Sequence, residues 1–108
     1  VEDFEEFARQ RLDHARQRLA LKEQQEQRLT LTQCGGMFRV TAELMSLLAT
    51  WPEGEFLYLV DDYDNPVLID DPTLMLIDCR QKWYEIMSDW HNQHQELKKV
   101  RRIGQLSE

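Results

Sequence analysis

Residues 29–41 read LTLTQCGGMFRVT. Leu29 and Leu31 alternate with Thr30 and Thr32, a period of two. Met37, Phe38, Arg39 and Val40 follow Gly35-Gly36. Two β-prone runs around a Gly-Gly pair predict an antiparallel hairpin, because glycine takes the positive φ of a tight turn at little cost. No further Gly, Lys or Ser/Thr follows at phosphate-loop spacing, so a nucleotide cradle is not indicated.

Upstream the period changes. Residues 1–29 contain no Gly or Pro and are rich in Ala, Arg, Gln, Glu and Leu, which predicts one helix. Phe4, Ala8, Leu12, Ala15 and Leu19 are spaced 4, 4, 3, 4, a narrow apolar stripe on one face. KEQQEQR at 22–28 is polar all round and is expected to project from the core.

Downstream, Thr41 is placed to cap a short helix with Glu43 in its first turn. Leu44, Met45, Leu47, Leu48 and Trp51 make that helix, 42–51, apolar on most sides, so it should be buried. Pro52 and Gly54 end it. EFLYLV at 55–60 is the next strand, expected to be covered on both faces because its apolar residues run together. DDYDN at 61–65 is a turn, and Pro66 opens the strand VLI at 67–69. Asp70 or Asp71 then caps a last helix with Pro72 in its first turn. That helix is expected to run to about Ile103, before Gly104. Leu76, Cys79, Trp83, Ile86, Trp90, Gln93, Leu97 and Val100 alternate spacings of three and four, a coiled-coil-like seam.

The fold class is therefore α+β: two β-hairpins forming a small antiparallel sheet with a short helix, flanked by long N- and C-terminal helices. One domain over 1–108 is expected, with a helix over 1–29, a hairpin–helix–hairpin core over 30–70 and a helix over 71–103.

Charge is uneven. The net charge is −7. Residues 30–75 hold eight acids against one base, Arg39, and so carry the whole imbalance. Their field repels phosphate backbones, so direct nucleic-acid binding through this region is not expected. No apolar run approaches the roughly 20 residues of a membrane span, and no membrane partner is expected. The acidic start VEDFEEFARQ does not read as a secretory signal. Two cysteines, Cys34 and Cys79, are too few for a disulfide framework. Free thiols, a cytoplasmic or virion-associated setting and no secretion are the expectation.

Constellations for chemistry are sparse. His91 and His94 have helical metal-ligand spacing, but no third and fourth ligand accompany them. Asp61, Asp62, Asp64 and Asn65 resemble the start of a calcium loop without its central Gly and terminal Glu. Cys34 lacks the surroundings of a catalytic nucleophile. No catalytic residue, cofactor or metal is assigned, and an enzyme is not expected. Trp83 and Trp90 repeat at seven residues on one face, as core or interface anchors do. The four bases Lys98, Lys99, Arg101 and Arg102 suit a helix C-terminus. The partner-binding candidates are Trp90, Leu97 and Val100 on the last helix and Leu12 and Leu19 on the first. The expected partners are other proteins, with self-association completing the seam.

The stretch LTLTQCGGMFRVTAELMSLL, the later VDDYDNPV and the ending WHNQHQELKKVRR resemble small uncharacterised proteins of tailed phages, particularly those infecting cyanobacteria. The resemblance covers most of residues 20–103 and transfers no activity or site residue. It implies a context in which a small non-enzymatic chain is a virion component, such as a tail, baseplate or neck subunit, an assembly factor or a host-interaction protein. A structural or assembly subunit acting through its long helices is the leading reading. A small acidic regulator that binds and inhibits a host enzyme is the alternative.

Overall fold

The computed structural model describes residues 2–106, and the side chains of residues 3–100. The element order is α1 (Glu2–Arg28), β1 (Thr30–Gln33), β2 (Gly36–Arg39), α2 (Ala42–Thr50), β3 (Leu57–Val60), β4 (Pro66–Ile69) and α3 (Pro72–Leu106). This is the helix–hairpin–helix–hairpin–helix arrangement expected. Each hairpin is its own two-stranded antiparallel sheet, so the strands form two small sheets rather than one of four strands. α3 continues through Gly104, beyond the expected end near Ile103. A single glycine costs a helix about 1 kcal/mol, which does not suffice to end it. The side chains of Arg101 and Arg102 lie outside the described residues.

The chain divides into two compact units, one of Val1–Glu26 with Met87–Glu108 and one of Gln27–Ile86.

In the second unit the first hairpin pairs Gln33 with Gly36 and Thr30 with Arg39. That register makes Cys34 and Gly35 the two turn residues, and both have positive φ, 51° and 79°. The turn thus sits one residue earlier than Gly35-Gly36. Gly36 begins β2 instead, and its constraint is space: a Cβ there would stand 2.7 Å from Val67 Cγ2 and 3.0 Å from the Phe38 ring. Phe38 and Val40 point inward and Arg39 outward, as period two requires. They join Leu29, Leu48, Leu57, Ile69, Met75 and other apolar residues in one core cluster that reaches Cys79 and Ile86.

Caps fall where side-chain chemistry places them. The Thr41 hydroxyl accepts from the Leu44 N–H at 3.1 Å and starts α2. The Asp71 carboxylate, not that of Asp70, accepts from the Leu74 N–H at 3.1 Å and starts α3, with Pro72 as its first residue. α2 is less buried than its composition implies: Leu48 is buried, Leu44 and Met45 are half-buried, and Leu47 is exposed.

The DDYDN turn is organised by Asp61. Its Oδ1 accepts the N–H groups of Tyr63 (3.0 Å) and Asn65 (2.9 Å), and its Oδ2 accepts the Met37 N–H at 3.4 Å. The Asp62 N–H in turn donates to the Met37 carbonyl at 2.8 Å. One buried carboxylate therefore closes the β3–β4 turn and ties it to the start of β2. The hydrogen bond from Asn65, above all, holds this carboxyl below the usual range. Partial burial opposes the shift, and the Met37 and Tyr63 N–H groups add to it. A structural turn thus accounts for the run that resembles a calcium loop.

Candidate protein-binding surfaces

In the first unit α1 and α3 lie antiparallel. Gln25 Nε2 donates to Asp89 Oδ2 at 3.5 Å, while Gln17 and Leu21 share an open groove of about 420 Å³ with Gln93 and Leu97. Low numbers on one helix therefore meet high numbers on the other. Asp89 Oδ2 also accepts from Gln93 Nε2 at 3.0 Å. Gln25 is fully buried. The polar run 22–28 accordingly does not project uncovered, as its composition suggested. A buried amide held by a carboxylate can pin the register of a helix pair, the best-attested use of buried polar groups.

The face α1 turns toward α3 is not the apolar stripe. The less exposed residues of α1 in this unit are His14, Leu21, Gln25 and Glu26. Leu19 lies two residues from Leu21, about 200° around the helix, and Leu12 is about 180° from Leu21 by the same count. Leu12 is 51% exposed, Leu19 54% and Phe4 74%. The Phe4–Leu19 stripe therefore does not face the seam of α3. Among the candidates, Leu97 meets the Leu21 face of α1, Trp90 is half-buried, and Val100 is exposed. Leu12 and Leu19 are left on open surface.

The second unit holds a surface that the sequence reading assigned to the interior. Strand residues alternate in and out, and β3 buries Leu57 while exposing Tyr58 and Val60. Tyr58 is 70% exposed, Val60 66% and the preceding Phe56 68%. Across the ladder Tyr58 faces Leu68 and Val60 faces Pro66, both exposed as well. Coverage of this strand on both faces is thus incorrect. A two-stranded sheet with one core offers nothing to cover its second face. The signal available in the sequence was the flanking acids: Glu55, Asp62, Asp64 and Asp70 are exposed at the two ends of this hairpin. No Lys or Arg occurs between Arg39 and Arg80.

Other candidates resolve locally. His91 Nε2 lies 3.2 Å from Gln95 Nε2, an i,i+4 pair. Among the described residues no group of three His, Cys, Asp or Glu side chains gathers as a metal site. Both cysteines are free; Cys79 is buried, and Cys34 is exposed with its Sγ 3.4 Å from Asp70 Oδ1. Burial, and next the charge of Asp78, push the Cys79 thiol up. No described helix is long and apolar enough to cross a membrane.

Comparison of the chain with family models, curated proteins and solved structures finds no match.

Proposed function

We propose that this chain is a non-enzymatic, protein-binding assembly subunit that associates with further copies of itself through α1. Its resemblance to small tailed-phage proteins makes a virion component of tail, baseplate or neck the setting. The observation that carries the reading is the uncovered stripe: α3 takes the Leu21–Gln25 face of α1, and Phe4, Leu12 and Leu19 stay exposed. Large exposed apolar side chains in a row mark an interaction surface. Light scattering of the purified chain tests it. The expected mass exceeds that of one 13.0 kDa chain and falls to it when Leu12 and Leu19 are both replaced by Glu. A wild-type chain that stays monomeric over a wide concentration range overturns the reading.

A second reading rests on the other surface. The acid-flanked apolar face of β3–β4 suits a small acidic regulator that binds and inhibits an enzyme through a basic surface. Such a regulator is monomeric alone, and its complex weakens as salt rises. A monomeric chain that inhibits a basic enzyme in low salt favours this reading over assembly.

A further inference from the structure

We propose that the two exposed apolar faces are complementary, and that the α1 stripe of one copy docks onto the outer face of the β3–β4 hairpin of the next. This rests on the assembly reading and names the surfaces that meet.

The two faces differ in the charges at their edges. Between Phe4 and Leu19, α1 holds four arginines, Arg9, Arg11, Arg16 and Arg18, against Glu5, Glu6 and Asp13. Arg11 and Arg18 line one edge of the stripe, and Arg16 and Glu5 lie along the other. All four are exposed, and the Arg11 guanidinium sits 5.8 Å from the Phe7 ring centroid. The hairpin face has Glu55 and Asp70 at its open end and Asp62 and Asp64 at its turn. Opposite charges around two apolar centres favour encounter and set orientation.

Each face is less suited to its own kind. Two hairpin faces together bring acids against acids. Two α1 stripes set the Arg11–Arg18 edge against itself when antiparallel and Arg11 against Arg16 when parallel, where only Arg18 meets an acid, Glu23. The mixed pair can set arginines of both edges against the acids at the two ends of the hairpin. Phe4 to Leu19 spans about 22 Å of helix, enough to cover the about 13 Å of strand from Phe56 to Val60.

Such a contact is heterologous. Each copy presents one face and receives on the other, so association continues to a closed ring or an open filament. An assembly subunit needs that property, and a twofold dimer lacks it.

The experiment is a mixing test by light scattering at low salt. Leu12→Glu spoils the stripe, and Tyr58→Glu spoils the hairpin face. Both side chains are exposed, and circular dichroism verifies that each variant folds. Each Glu alone is expected to weaken association by about a hundredfold or more, as an unpaired charge placed in a contact does, leaving monomers. An equimolar mixture regains one good contact, between the stripe of Tyr58→Glu and the hairpin of Leu12→Glu, and forms dimers that grow no further. If either variant unfolds, Arg16→Glu and Glu55→Lys replace them. These charge reversals each weaken assembly, and mixing them restores it through new unlike pairs. If Tyr58→Glu assembles as wild type does while Leu12→Glu is monomeric, this pairing is overturned and the assembly reading stands. A monomeric wild-type chain overturns both.

Discussion

Gly36→Ala should destabilise the protein although glycine is normally the weaker strand residue. A glycine-to-alanine change in a strand ordinarily gains about 0.5–1 kcal/mol from reduced chain entropy. Here the new methyl would stand 2.7 Å from Val67 Cγ2 and 3.0–3.1 Å from two Phe38 ring carbons. Both neighbours are buried, so neither can swing into solvent. Overpacking of this kind costs about 1–3 kcal/mol, and the expected net loss is about 1–2 kcal/mol. The partner identifies the cause. Val67→Ala alone should cost about 2 kcal/mol through lost burial and a residual cavity. It also removes the atom nearest the new methyl. The double variant should therefore be little worse than Val67→Ala alone, a coupling of about 1–2 kcal/mol. Gly35→Ala is the control: nothing lies within 4 Å of its Cβ, but φ is +79°. It should lose about 1 kcal/mol from left-handed backbone strain, with no coupling to Val67. Urea denaturation of the three single and two double variants supplies both cycles. Additivity of Gly36→Ala with Val67→Ala would refute the steric account, and a Gly36→Ala variant as stable as wild type would refute the packing of β2 against β4.

Asp61→Asn should remove the pH dependence that Asp61 contributes. Because the folded carboxyl is held low by the Asn65, Met37 and Tyr63 N–H groups, its contribution is present above the unfolded value of about 3.9 and is lost as pH falls through the folded value. Wild-type and variant urea midpoints should thus differ most near neutrality and converge in acid; a constant gap refutes the assignment. Thiol labelling should separate the cysteines, with exposed Cys34 reacting in the native state and buried Cys79 only after denaturation; equal native rates would show that the core around Cys79 opens readily.

Periodicity carried most of the fold because the strands are short and each pairs with its neighbour in sequence. The hairpins, the Thr41 cap and the first half of the α3 seam follow from local rules, and Leu76, Cys79 and Ile86 are buried as their spacing requires. The one-residue shift of the first turn has a tertiary cause. Either glycine could occupy the turn, and only Val67, thirty-one positions on, shows that Gly36 is needed in the strand.

The surfaces were less legible, for a different reason. A stripe at helical spacing states that one face is apolar, not what covers it. The Phe4–Leu19 stripe was real, yet α3 lies on the opposite side of α1, where Leu21 is buried and Gln25 reaches Asp89, 64 positions away in sequence. A polar residue reads as surface until its partner is known, since burial is tolerable only with that hydrogen bond. The converse holds for FLYLV: an apolar run reads as buried only if the protein has a second layer to cover it, and a two-stranded sheet has none. The strand misreading exposes apolar surface where the local rules placed interior, and the α1 stripe, a contact candidate from its spacing, stays open. They leave one basic-edged apolar face and one acidic-edged apolar face on the same chain, and that pairing is what the mixing experiment interrogates.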